Sequence, residues 1–242
     1  MTHASCFPAG ARLLLLAFFT LLPLAPAHAA LRRDTVTSVP EQDCDRLAQP
    51  PRDVMGEQAI TDGVVLDSLR GKAAVVACAE ALQAFPGEKR FLTYAGRAAD
   101  KIGNFAEAAR LYKAGADAGS PVAMNNLAAL YERGQGVPRD MREAVRLYRA
   151  ASDQGYQISR ANLGALYATG RGVQRDDREA VRLMQLAADD NEPNGLNNLG
   201  KMYAEGRGGL VRDLNQAVRL WRQAAELGNA AARGNIRKAG RR

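Results

Sequence analysis

Histidine is nearly missing from this chain: its 242 residues hold two, His3 and His28, both ahead of residue 30. Aromatic residues make up only 6% of the sequence, with a single tryptophan, Trp221, which disfavours a β-sandwich or barrel built on β-branched and aromatic side chains. Cysteine occurs three times, and neither S-x-x-K nor G-x-S-x-G is present. No apolar run reaches the roughly 20 residues a membrane-spanning helix needs. What is abundant is alanine, glycine and arginine, in a chain 47% hydrophobic and 24% charged, the balance of an ordinary folded protein. Close-packed helices suit that composition.

The first 29 residues read as a cleaved secretory signal. A short segment ending in Arg12 precedes an apolar run, Leu13 to Leu24, and the small-residue motif Ala27-His28-Ala29 follows. Cys6 lies ahead of the apolar run, which does not support lipoprotein-type processing. The expected product is an exported chain, periplasmic or secreted, with no stable membrane insertion after cleavage. Cleavage removes both histidines. The mature chain then has no imidazole for a Ser-His-Asp or Cys-His mechanism, for a His-ligated metal, or for a pH switch near neutrality.

Two cysteines remain, Cys44 and Cys78. An even pair in an oxidising compartment reads first as a structural disulfide. A zinc site would need further ligands, and a redox pair is more often C-x-x-C.

Self-similarity decides the rest of the chain. Asn125-Asn126-Leu127, Ala161-Asn162-Leu163 and Asn197-Asn198-Leu199 recur with a period of 36 residues. Tyr131, Tyr167 and Tyr203 keep that period, as do Gly134, Gly170 and Gly206. Each block is followed by a second one: EAVRLYRAA from Glu143, EAVRLMQLAA from Glu179, QAVRLWRQAA from Gln216. Leu127, Leu130 and Tyr131 share one helical face, and Gly134 suits a left-handed C′ position. Asp140-x-x-Glu143, Asp176-x-x-Glu179 and Asp213-x-x-Gln216 read as capping boxes opening a second helix. The unit is therefore a pair of antiparallel helices. A shorter unit precedes these three, with its box at Asn104-x-x-Glu107 and four residues missing from its loop.

The pattern N-L-G-x-x-Y-x-x-G-x-G-V, followed by D-x-x-x-A-x-x-x-[YW]-x-x-A-A, resembles the Sel1-like repeat, a relative of the tetratricopeptide repeat. Ala128, Met184 and Asn191 depart from it, standing for a glycine, an aromatic and a glycine. The resemblance implies an all-α fold, a right-handed α-solenoid of helix-turn-helix repeats, whose concave face usually contacts other proteins. The expected organisation is a signal at 1–29 and an extension with a capping helix at 30–88. Four repeats follow at 89–120, 121–156, 157–192 and 193–229, and then a C-terminal capping helix with a basic tail at 230–242. The C-D-R-L-A segment at Cys44 and the A-C-x-x-A helix at Cys78 are similar to the lead-in ahead of such repeats in some bacterial envelope proteins, and read as a disulfide-pinned N-terminal cap.

By the tetratricopeptide analogy, Asn126, Asn162 and Asn198 point into the groove, where an amide can hold a peptide backbone. The competing reading is structural, with each amide bonding a neighbouring loop carbonyl, and repeat-wide recurrence favours it. Asn125, Glu132, Arg133, Arg160, Thr169, Asn194, Lys201 and Glu205, with Ala129 and Ala165, are the variable groove candidates. Arg146, Arg182 and Arg219 recur on second helices. They form either a solvated face or a stripe for anionic surface contacts. The charge of +7 does not imply nucleic acid in an exported chain whose aromatics belong to its core. The sequence implies no cofactor, no metal and no catalytic residue. The expected function is a non-catalytic interaction module, an adaptor acting on another protein such as an envelope or signalling protein. The alternatives are a structural scaffold contacting cell-wall enzymes or peptidoglycan and, more remotely, a β-lactam-interacting hydrolase.

Overall fold

In the computed structural model, the described residues are Cys44 and 68–240. The expected signal and most of the expected extension lie outside them. Ten α-helices and no strand occur among the described residues. The first, α1 (Ser68–Ala84), is the cap. Four pairs follow: α2 (Lys89–Lys101) with α3 (Phe105–Asp117), α4 (Pro121–Arg133) with α5 (Met141–Asp153), α6 (Gln157–Thr169) with α7 (Asp177–Asp189), and α8 (Pro193–Glu205) with α9 (Leu214–Glu226). A last helix, α10 (Ala230–Ala239), closes the array.

All eight paired helices are 13 residues long, so each spans about 20 Å. Equal lengths let every unit present the same ridges to the next. Each helix packs on the one before it and the one after it. Neighbouring first helices also pack together, α2 on α4 and α6 on α8, whereas no two second helices meet to that extent among the described residues. First helices therefore lie on the inside of the curve.

The core alternates rings with gaps. Tyr112 and Tyr148 are among the most deeply buried large side chains, and Trp221 is 5% exposed. Each lies over a small residue of its partner helix. A Cβ on Gly96 would sit 2.6 Å from the Tyr112 ring, and one on Gly200 would sit 2.6 Å from the Trp221 indole nitrogen. Trp221 donates to the Asn197 carbonyl at 3.0 Å, so the indole is fixed in the slot that glycine leaves. Gly164 faces Met184 in the same way. The two departures are thus matched to their neighbours, since a flexible thioether replaces the ring at Met184 and Ala128 occupies the glycine position opposite Tyr148. Asn191, the third departure, takes the left-handed conformation itself with φ of 57°, which asparagine tolerates better than most side chains.

The second helices begin where the capping boxes predict, with one difference. Asp140 and Asp176 each accept from two backbone N–H groups, and Asp213 from Gln216 N at 2.8 Å. Glu143 and Glu179, however, do not reach back. Each turns to an arginine one turn on, Arg146 or Arg182, through two bonds of 2.6–2.8 Å. The N-cap amides of Asp140, Asp176 and Asp213 instead donate to the carbonyls of Tyr131, Tyr167 and Tyr203 at 3.0–3.1 Å. The periodic tyrosine thus also closes the loop through its backbone.

The helices that flank the four pairs depart from the repeat pattern. Cys44 and Cys78, both fully buried, are disulfide-bonded, which ties Cys44 to α1. In α10, Arg237 occupies the register of Gly200, 37 residues earlier, and is exposed. A charged side chain there leaves no slot for another ring.

Candidate protein-binding groove

The inner face is assembled from corresponding positions of successive first helices. One row holds Tyr94, Asn126, Asn162, Asn198 and Asn235, and the next holds Arg97, Ala129, Ala165, Lys201 and Lys238. The first of these rows is partly buried throughout.

The asparagines do two things at once. Asn125 is 4% exposed, and its Oδ1 accepts from Ser159 Oγ at 3.0 Å and from Asn162 Nδ2 at 3.1 Å in the next repeat. Asn197, also 4% exposed, likewise accepts from Asn235 Nδ2 at 2.9 Å. Ala161 holds this register between them, so the bond between repeats skips one junction. In Asn162 and Asn235 one half of the amide bolts repeats together, whereas Asn198 bonds only within its own helix. Among the described residues, Asn162 Oδ1, Asn198 Nδ2 and Asn235 Oδ1 have no hydrogen-bond partner. Asn126 accepts from Asn125 Nδ2 at 3.2 Å and lies beside the Tyr112 hydroxyl, whose ionisation burial pushes far upward.

The remaining candidates separate by what holds them. Glu132 accepts from the Tyr148 hydroxyl at 3.2 Å and pairs with Arg171 of the next repeat at 3.1 Å. Arg133 bonds Gln135 in its own loop, and Arg160 pairs with Asp190 at the far end of the repeat. Asn194 is exposed and lies between Glu192 and Asn229, both at 3.0 Å. Thr169 donates back to the Ala165 carbonyl at 2.8 Å, and Glu205 pairs with Arg207 at 3.1 Å. Lys201 is exposed, with only a long contact of 3.4 Å to Asn198 Oδ1. Asn162, Asn198 and Lys201 are therefore the candidates that keep polar atoms for the groove.

Three features were not singled out from sequence. Arg97 belongs to the Lys201 row, but the four missing loop residues shift it off the 36-residue period. The second glycine of each G-x-G turn meets the preceding repeat: a Cβ on Gly136, Gly172 or Gly208 would sit 2.1, 2.4 or 2.3 Å from the carbonyl oxygen of Phe105, Met141 or Asp177. Asp177 also receives Arg175 at 2.9 Å and Arg207 at 2.6 Å, and Arg207 donates to the Ala168 carbonyl. These two guanidiniums hold the Asp177 carboxyl well below the usual carboxylate range.

A depressed folded-state pKa stabilises above the unfolded value of about 3.9 and is lost as pH falls. The pair is partly solvated and therefore salt-sensitive. Asp177→Asn should lower stability at neutral pH and flatten its decline between about pH 4 and pH 2. Urea midpoints measured across that range check it, and equal slopes for both proteins would refute the assignment.

On the outer face, Arg110, Arg146 and Arg182 each form an ion pair with the glutamate three residues earlier, while Arg219 meets the neutral Gln216. The arginine row is thus largely neutralised where it stands. Among the described residues, no group of three or more His, Cys, Asp or Glu could hold a metal, and no helix is long and apolar enough to cross a membrane.

Comparison with known proteins agrees with this architecture. The Sel1 repeat profile matches residues 94–120, 121–156, 158–192 and 193–229, and the chain belongs to the Sel1 repeat family. A Sel1 repeat protein from Oxalobacter formigenes is 31% identical, with a TM-score of 0.59, over 72% of this chain and 75% of that one. A protective antigen of uropathogenic Escherichia coli with an SLR fold is 28% identical, with a TM-score of 0.58, over 73% of this chain and 37% of its own. Among curated proteins, none matches. Sel1-like repeat proteins generally mediate protein–protein interaction, and the fold is typically a non-catalytic scaffold.

Proposed function

We propose that this chain is an exported adaptor whose groove binds an extended segment of another protein, an envelope or signalling protein being the partner class. One observation carries the reading: Asn162, Asn198 and Asn235 each spend at most half of an amide inside the array and leave the other half on the inner face. An extended backbone offers alternating N–H and C=O groups, the chemistry such half-used amides can satisfy. Export is supported by the leader pattern and by the Cys44–Cys78 disulfide, which suits an oxidising compartment.

Photo-crosslinking from position 162 or 198 in living cells, followed by peptide mapping, tests the groove. Crosslinks should fall in an extended segment of one partner, and Asn198→Ala should reduce capture about five-fold, the loss expected for a hydrogen bond or two. Crosslinks confined to the outer helices would reject the reading. Mass spectrometry of the mature N-terminus tests export: a species beginning near Ala30 is expected, and a full-length cytosolic species would contradict it. The scaffold reading predicts instead that the pure chain co-sediments with peptidoglycan.

A further inference from the structure

Arg97 is a cation of the inner face that burial partly strips of water. It lies in α2, in the same row as Ala129, Ala165, Lys201 and Lys238. Its Nη1 is shut off from solvent and, among the described residues, has no hydrogen-bond partner. The nearest carboxyl on its own helix, Asp100, makes no ion pair with it, and burial raises that carboxyl above its ordinary range. Burial also opposes the guanidinium charge. A guanidinium does not neutralise itself under accessible conditions, so the cost of desolvation stands until an anion arrives.

The other cations of the row set the chemistry of that anion. Lys201 and Lys238 sit at the opposite end, both exposed, and only alanines separate them from Arg97. The row is therefore cationic at each end and small in the middle. A single chain terminus satisfies one end only, whereas an extended segment with acidic side chains satisfies both. We propose that Arg97 is an anchor for a carboxylate side chain of the bound segment, and that the preferred partner segment is acidic, with Lys201 and Lys238 receiving its other end. This rests on the groove reading above and adds the charge of the occupant.

The test uses the mature chain and three fluorescein-labelled peptides of about a dozen residues, read by anisotropy at low salt. One alternates Glu with Ser and is amidated. The second replaces Glu by Gln, and the third is Gly-Ser with a free C-terminal carboxylate. The Glu peptide should bind at least about ten-fold tighter than the Gln peptide, and Arg97→Met should remove most of that difference. Arg97→Lys should keep part of it, and Lys201→Met should weaken it less. Arg97→Met should also raise the melting temperature of the free protein, because it retains the apolar stem and removes an unpaired charge. A merely structural arginine would lower it.

Equal binding of the Glu and Gln peptides, no effect of Arg97→Met, a fall in its melting temperature, or preference for the free terminus would each overturn the proposal. So would the absence of binding by every peptide. If Asn198→Ala weakens Glu and Gln peptides alike while Arg97→Met changes neither, the groove reading survives and the acidic anchor falls.

Discussion

Gly172→Ala should destabilise the protein by about 3 kcal/mol or more, while Gly119→Ala, an identical chemical change, should cost about 1 kcal/mol. Both glycines have positive φ, +71° and +82°, so both alanines meet the same left-handed strain. They differ in what surrounds them. A Cβ at Gly172 would lie 2.4 Å from the Met141 carbonyl oxygen in the preceding repeat, whereas one at Gly119 meets nothing within 4 Å. A backbone oxygen at the start of a helix cannot move aside without breaking that helix's first turn, so the repeats must separate. Urea titration of both variants beside the parent checks this. Equal losses would mean that the turn tolerates separation, and the close approach would then count for nothing. The second glycine of the turn is thus distinct from the first: Gly170 ends a helix, and Gly172 lets one repeat touch the one before it.

Loss of the Cys44–Cys78 disulfide should cost about 3–4 kcal/mol, the chain-entropy value for a loop of this size, since the two cysteines are 34 residues apart. Both sulfurs are buried against the cap helix, so Cys44→Ser with Cys78→Ser adds two buried hydroxyls to the lost link. Ala at both positions isolates the link itself. The loss should be local in its first effect. Protection of α1 amides from hydrogen exchange should fall by two orders of magnitude or more while α6 to α9 keep theirs, because each repeat leans only on its neighbours. Free-thiol titration of the denatured parent should find no reactive pair. Two titrating thiols would show the link unformed, and unchanged exchange in the Ala variant would show it irrelevant to the cap.

The architecture was legible in the sequence because repetition multiplies weak signals. A single D-x-x-E is a modest helix start, but Asp140, Asp176 and Asp213 at matching places leave little choice. The spacing also located the groove rows, since Asn126, Asn162 and Asn198 must share a face if the units stack alike. What stayed hidden depends on distances between repeats, which no spacing encodes. Asn125 and Asn126 are adjacent in sequence, yet the first is sealed between repeats and the second is only partly buried. Glu143 and Glu179 had two partners within reach, the N-cap amide and the arginine one turn on, and charge pairing won. Arg97 was concealed for a simpler reason: the shortened loop at Gly103-Asn104 takes it out of the period that marks its row.

Arg237 has an implication for how such a chain can lengthen. Repeat proteins grow by copying units, and a copy is viable only where both of its surfaces find a matching neighbour. Inside the array any unit begins on a face with a gap and ends with a side chain that fills one. A second helix placed directly after α10 would instead meet a guanidinium at the place where its aromatic must lie. New units are therefore expected to enter ahead of α10, between existing ones. Length can then vary among descendants of this gene while the disulfide-linked α1 and the arginine of α10 are inherited together.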